Sequence, residues 1–86
     1  MTYRVFWTPD AERWLKDILR NSVVPKIIVT AAREIDQTLA LTPLAFGESR
    51  FENVRIGFQR PLGIHFELLE DVRSVIVFDV WRTDRQ

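Results

Sequence analysis

The chain has 86 residues, 47% of them apolar, and its 12 basic and 12 acidic side chains cancel. This composition excludes a disordered chain, and the length fits a single domain over residues 1–86 without a second lobe for a cofactor. The absence of Cys excludes disulfide frameworks, thiolate nucleophiles and Cys-based zinc sites. Zero net charge argues against a nucleic-acid-binding domain that is basic throughout.

The sequence lacks the segments that carry a chain into or across a membrane. No run approaches the roughly 18 to 20 apolar residues of a membrane span. Residues 3–7 are strand-like, and no basic region precedes an apolar signal core. We therefore expect a cytoplasmic protein that has no membrane partner.

The start of the chain has the pattern of one strand followed by a helix. Alternation at Tyr3, Val5 and Trp7 predicts a short, half-apolar strand. Thr8 can cap a helix whose first position is Pro9. The apolar residues of this helix recur every three or four positions, which indicates one buried face: Ala11, Trp14, Leu15, Ile18 and Leu19.

A second helix follows after a short connection. Pro25 suits its first turn, and we expect it to end near Leu41, before Pro43. Its apolar stripe comprises Ile28, Ala31, Ala32, Ile35 and Leu39. The short connection predicts that the two helices pack as an antiparallel hairpin. We expect residues 44–50 to form an exposed loop.

The second half of the chain changes to a period of two, which predicts a meander of three strands. The apolar positions are all even: Val54, Ile56 and Phe58; Leu62, Ile64, Phe66 and Leu68; Ile76, Phe78 and Val80. Directly opposed residues of an antiparallel pair point to the same face, so both loops must have odd lengths. Three-residue loops at 59–61 and 71–73 would pair Phe58 with Leu62 and Leu68 with Ile76.

The same register arranges the other face of the sheet. It sets Arg55 opposite His65 and His65 opposite Asp79, and it lets Trp81 cover bare backbone at Gly57 and Gly63. The order of elements predicts an α+β domain, β-α-α-β-β-β. In this domain the helical hairpin covers the even face of a small, mainly antiparallel sheet.

The predicted row of Arg55, His65 and Asp79 suits acid–base chemistry on RNA. Cleavage through the 2′-hydroxyl needs a proton acceptor, a proton donor and positive charge near the phosphate. His65 could exchange protons near neutral pH, with Asp79 orienting it and Arg55 holding the phosphate. The alternative, which such paired charges favour, is a polar ladder that stabilises strand pairing. The lone His and the spacing of the acidic residues predict no metal site.

Four positions are candidates for nucleic-acid contacts. Arg50, Arg55 and Arg60 could bind phosphates, although Arg residues at this spacing are equally consistent with solvated side chains. Trp81 could stack on a base or, alternatively, cover the sheet glycines.

In its ordered pattern, nearly the whole chain resembles the RelE/ParE superfamily of type II toxin–antitoxin toxins. The resemblance lies in these segments: Tyr3-Arg-Val-Phe-Trp7 followed by Thr-Pro-Asp-Ala-Glu, Ile35-Asp-Gln-Thr-Leu39, Arg60-Pro-Leu-Gly-Ile-His-Phe-Glu67 and Ser74-Val-Ile-Val-Phe-Asp-Val-Trp-Arg82. It implies a toxin that is neutralised by an antitoxin encoded beside it.

The family includes ribosome-dependent mRNA endonucleases and gyrase poisons. In the RNA-cleaving members, basic residues on the open face of the sheet surround the scissile phosphate. Arg55 and Arg82 fall near such positions, whereas Gly57 and Gly63 stand where RelE-like enzymes tend to carry Lys or Arg. The resemblance therefore implies a divergent member of the superfamily.

We predict a toxin that inhibits translation by ribosome-dependent mRNA cleavage, without a metal or cofactor. The predicted catalytic residues are Arg55, His65, Asp79 and Arg82. The alternatives are a non-enzymatic toxin that binds DNA gyrase and a detoxified remnant that binds only its antitoxin.

The expected partners are the cognate antitoxin, in a hetero-oligomer, together with the ribosome and mRNA or, alternatively, gyrase. The residues offer a physical basis for antitoxin binding. The first strand is short, Phe6 lies opposite its apolar set, and a small open sheet leaves an edge and apolar surface to be covered.

Overall fold

One sheet carries the helices on one of its faces. The computed structural model describes residues 2–84, and within this range five strands form the sheet. The elements are β1 (Arg4–Trp7), α1 (Pro9–Arg20), α2 (Pro25–Leu41), β2 (Glu48–Phe51), β3 (Val54–Gln59), β4 (Leu62–Leu69) and β5 (Ser74–Arg82), with 3₁₀ turns at Pro43–Ala45 and Glu70–Val72.

The strands lie in the order β1-β5-β4-β3-β2. β1 runs parallel to β5, and the other neighbours are antiparallel. The predicted α+β class, with helices packed on a mainly antiparallel sheet, is confirmed.

The helices form where their end signals predict them. The Oγ1 of Thr8 accepts a hydrogen bond from the backbone N–H of Ala11 at 3.1 Å, and Pro9 is the first residue of α1. α2 spans Pro25–Leu41, as expected. Four residues of its predicted stripe are buried: Ile28, Ala31, Ile35 and Leu39. The fifth, Ala32, is half-buried.

The expectation that residues 44–50 form only a loop is wrong, because β2 begins at Glu48. β2 pairs with β3 through Glu48 and Ile56, Ser49 and Arg55, and Phe51 and Val54, with an irregularity between Ser49 and Phe51. All four residues of β2 are exposed and do not alternate in polarity, so the sequence gives no strand signal here. Pairing with β3 is what makes this segment a strand.

The predicted register between β3 and β4 is wrong by one residue. Gln59 pairs with Leu62, so two residues rather than three connect the strands. Arg55 consequently lies opposite Phe66, and Ile56 lies opposite His65. A one-residue shift turns every side chain of a strand to the other face. Val54, Ile56 and Phe58 therefore face away from the helices, contrary to expectation.

The predicted register between β4 and β5 holds for only part of its length. His65 pairs with Asp79 as expected, but the ladder shifts after this pair, and Phe66 pairs with Val77. Phe78 is the extra residue of a β-bulge. The bulge reverses the alternation of β5, so the prediction that Ile76 and Phe78 face the core is wrong.

The core lies between the helices and the inner face of the sheet. β4 contributes the four apolar residues predicted for it, Leu62, Ile64, Phe66 and Leu68. β5 contributes Val75, Val77 and Val80. Complete burial of one such side chain contributes roughly 1.5 to 3 kcal/mol, so this layer fixes how the helices sit on the sheet.

Gly47 permits the close approach of the segment before β2 to β3. Its φ is +76°, and a Cβ there would lie 2.1 Å from the backbone oxygen of Ile56. We expect Gly47→Ala to lower the free energy of unfolding by about 1 to 3 kcal/mol in urea titrations. The control is Glu52→Gly at a φ of 50°, where removing the side chain should change stability by less than about 1 kcal/mol. Equal effects of both variants would contradict this prediction.

Candidate functional site

The sheet surface opposite the helices, called the open face below, contains a small polar centre surrounded by aromatic rings. Pairing and alternation turn the side chains of this face away from the helices, and they include Arg4, Phe6, Glu48, Val54, Ile56, Phe58, His65, Glu67, Ile76, Phe78, Asp79 and Trp81. Among the predicted site residues, His65, Asp79 and Trp81 lie on it together.

His65 and Asp79 form the polar centre. The Nδ1 of His65 lies 3.0 Å from the Oδ2 of Asp79, and the two side chains are 30% and 39% exposed. An ionised carboxylate only accepts hydrogen bonds, so the Nδ1–H of His65 donates to it. Because this contact occupies Nδ1, Nε2 is the ring nitrogen that can bind another partner.

Aromatic rings on both sides hold the imidazole of His65. The Phe78 ring stacks on it at a centroid distance of 5.9 Å, and the Trp81 ring lies at 5.0 Å with a tilt of 45°. Phe78 reaches this position because of the bulge in β5. The His65 side chain is thus oriented by a hydrogen bond and by packing together.

Trp81 packs over Gly63, one of the two glycines that it was predicted to cover. A Cβ at Gly63 would lie 2.6 Å from the indole ring. Phe58 meets Trp81 edge to face at 6.2 Å. The other glycine, Gly57, is covered from the helix side by Phe46, so that part of the prediction is wrong.

Arg55 does not join the row with His65 and Asp79, and the prediction that it does is wrong. The register of β3 turns Arg55 toward the helix side, opposite Phe66. Its Nη2 donates to the backbone oxygens of Leu44, Phe46 and Gly47 at 3.1, 3.3 and 3.1 Å. These bonds tie the segment before β2 to β3, which is a structural task.

Arg82 also lies away from His65, because it pairs with Leu62 on the helix side of β4. Its Nε and Nη2 donate to Oδ1 and Oδ2 of Asp84, each at 2.9 Å, and its Nη1 donates to the Oγ of Ser22 at 3.1 Å. The hydrogen bond with Asp84 raises the pKa of Arg82 and lowers the pKa of Asp84. This pair contributes stability when Asp84 is ionised and loses it as the pH falls through the lowered pKa.

The remaining predicted Arg residues lie at the margins of the sheet. Arg50 is exposed at the irregularity of β2, beside Glu48 and Phe58. Arg60 is exposed in the turn between β3 and β4, near Lys26 of α2. The predicted Arg residues therefore do not converge on one phosphate position at His65.

The charged groups at the centre of the open face are acidic. Glu67 lies on β4, the middle strand of the five, and Asp79 lies on the adjacent strand β5. Arg4 lies over the Phe6 ring at 6.0 Å on the β1 edge. A phosphate near His65 would thus meet carboxylates before it met a guanidinium, which is unfavourable electrostatically.

Cavities lie beside the polar centre of the open face instead of within it. One of about 440 Å³ is lined by Leu44, Arg55, Leu68 and Asp71, among others. Another of about 560 Å³ runs between α1 and the end of β5 and reaches Trp81. Neither includes His65 or Asp79. The open face has the shape of a surface for a macromolecule and not of an enclosed small-molecule site.

Within residues 2–84, no three His, Asp or Glu side chains lie close enough together to hold a metal ion. Neither helix in this part of the chain is long and apolar enough to cross a membrane.

The sequence did not indicate that Phe6, Phe58 and Phe78 share a face with His65. The period of two predicted that Phe58 and Phe78 face the core. The loop between β3 and β4, one residue shorter than predicted, turns Phe58 to the open face, and the bulge in β5 does the same for Phe78. Phe6 joins the face because β1 pairs with β5, which sets it beside Ile76. The sequence offered one signal for an aromatic open face: Phe6 alternates with the apolar residues Val5 and Trp7 and so points to the other face of β1.

The architecture matches solved toxin–antitoxin structures. No protein-family profile and no curated protein matches this chain. A chain of the toxin–antitoxin complex RelBE2 from Mycobacterium tuberculosis superposes with a TM-score of 0.80 at 17% identity, covering 98% of this chain and 95% of that one.

Two further structures match at similar coverage. A chain of the chromosomal ParDE system from P. aeruginosa has a TM-score of 0.70 at 15% identity, covering 95% of this chain and 97% of that one. A chain of the archaeal RelE-RelB complex from Pyrococcus horikoshii OT3 has a TM-score of 0.71 at 11% identity and covers all of both chains. The predicted RelE/ParE-like fold is confirmed.

The contacts of Arg55 predict a stability role that can be measured. Arg55→Ala leaves the carbonyl groups before β2 without their donor, and we expect the free energy of unfolding in urea to fall by about 1 to 3 kcal/mol. Arg50→Ala removes an exposed Arg from the neighbouring strand and should change it by less than about 0.5 kcal/mol. Equal stability of the two variants would refute the structural role of Arg55.

Proposed function

We propose that this protein is the toxin of a type II toxin–antitoxin pair. The observation that supports this most is the superposition on chains of RelBE and ParDE complexes over at least 95% of both chains. Because the match spans the entire fold, it includes the sheet surface on which the candidate site lies. The proposed location is the cytoplasm.

The proposed regulatory partner is a cognate antitoxin in a hetero-oligomer. The three solved structures described above come from toxin–antitoxin systems. This chain also exposes large apolar side chains outside the open face, including Val23 at 97% and Ile27 at 52%. A partner that covers such side chains would remove apolar area from water.

We favour a mechanism in which the toxin binds a protein target, such as DNA gyrase, without cleaving RNA. The electrostatics of the open face support this choice. Its centre carries Glu67 and Asp79, while Arg55 and Arg82 make their hydrogen bonds on the helix side. Cleavage of RNA passes through a pentacoordinate phosphorus species, and stabilising its negative charge needs cations at the reacting centre.

Ribosome-dependent mRNA cleavage is the second candidate, and the contact between His65 and Asp79 favours it. A carboxylate at 3.0 Å from Nδ1 holds the imidazole in the tautomer in which Nε2 can accept a proton. In this mechanism His65 exchanges protons, Asp79 orients it, and the ribosome or the mRNA complex would supply the missing cations.

Induced expression without an antitoxin tests the proposed function. We expect growth to stop, and we expect RNA 5′-end mapping to show intact messages, because the target is a protein. Normal growth at a protein level confirmed by immunoblot would refute the toxin role.

Substitution at the polar centre separates the two mechanisms. If the toxin binds a protein, His65→Gln keeps a polar side chain on the open face and should still arrest growth. If it cleaves RNA, His65→Gln should relieve the arrest and lower the yield of new 5′ ends inside reading frames by a factor of about 100 or more, and Asp79→Asn should also lower that yield. Asp71→Asn, an exposed change in the turn before β5, is the matched control.

A further inference from the structure

The open face leaves a cluster of aromatic rings partly exposed to solvent. Phe58 is 53% exposed and meets Trp81 edge to face, and Trp81 contacts His65, which stacks on Phe78. On β1, the strand next to β5, Phe6 is 48% exposed and lies beside Ile76. Clustered apolar side chains of this kind on a small domain mark an interaction surface.

Carboxylates are interleaved with these rings. Glu67 stands between Val54 and Ile76, its cross-strand neighbours, and Asp79 stands opposite His65. Glu48 lies opposite Ile56 on the outer strand. Asp79 already accepts a hydrogen bond from His65, so a partner that covers the rings must above all satisfy Glu48 and Glu67, since burying an unpaired charge is costly.

This combination decides between possible occupants. A nucleic acid would bring phosphates toward Glu67 and Asp79, and like charges repel. A second copy of this chain, packed face to face about a twofold axis that passes between Glu67 and Asp79, would bring these carboxylates near their own counterparts. A protein segment with apolar side chains and Lys or Arg complements both the rings and the charges.

We infer that the open face docks a protein segment that carries aliphatic or aromatic side chains together with Lys or Arg. The apolar groups of the segment cover Phe58 and Trp81, and its cations pair with Glu67 and Asp79. The inference rests on the proposed binding mechanism, for which it names the surface and the chemistry of the target.

Selection from a library of short random peptides tests this inference on the purified full chain. The selected peptides should be enriched in Lys or Arg and in Leu, Phe or Trp. A synthetic peptide of the selected sequence should bind in fluorescence anisotropy, and raising the salt concentration should weaken its binding.

Two variants locate the binding on the open face. Phe58→Ser removes an exposed ring, and Glu67→Lys reverses a charge; each should weaken binding of the selected peptide by about tenfold or more. Glu12→Lys makes the same charge reversal on α1, in the helix layer, and should leave the affinity unchanged. Circular dichroism checks that all three variants are folded.

Several results would overturn the inference. The library could show no enrichment, or the selected peptide could bind all variants equally. A uridine oligonucleotide could bind and be weakened by Phe58→Ser and Glu67→Lys, which would make the face a nucleic-acid site. The protein could form a dimer that Phe58→Ser dissociates, which would make the face a contact between two copies. The growth assay reports separately on the toxin role: peptide binding without growth arrest would refute the toxin role alone, and arrest without peptide binding would refute this docking surface alone.

Discussion

The pairing of β4 with its two neighbours determines what each face of the sheet displays. β4 places Leu62, Ile64, Phe66 and Leu68 under the helices, and burial of these residues fixes its orientation. Its neighbours then present whichever side chains the loop between β3 and β4 and the bulge in β5 allow. Since side chains alternate along a strand, one residue in either connection exchanges the two faces.

These two local features explain the chemical character of the open face. The two-residue connection brings Phe58 out and turns Arg55 in, toward the carbonyl groups before β2. The bulge brings Phe78 out beside Asp79, so both flank His65. The face therefore gains two aromatic rings and loses a guanidinium, which supports the proposed docking of a protein segment rather than of a phosphate.

The polar centre of this face is compatible with both proposed mechanisms. The imidazole of His65 is oriented by Asp79 and packed between Phe78 and Trp81. Such an arrangement can prepare a proton-transfer group or simply satisfy a half-buried polar side chain. The charges around it, rather than the contact itself, favour binding over cleavage.

Local signals in the sequence determined the helices and the fold class. Thr8, Pro9 and Pro25 act through adjacent backbone, and the apolar stripes of both helices recur within a few residues. The pairing of His65 with Asp79 and the cover of Trp81 over Gly63 were also correct, because the ladder between β4 and β5 is regular there.

Tertiary structure alone decided the remainder. β2 has no alternation of its own and exists through its pairing with β3. The faces of Arg55, Phe58 and Phe78 depend on a connection length and a bulge, and period-two patterning specifies neither of these. Which residues meet on the open face is a property of strands brought together from distant parts of the chain, so it follows from packing and not from local sequence.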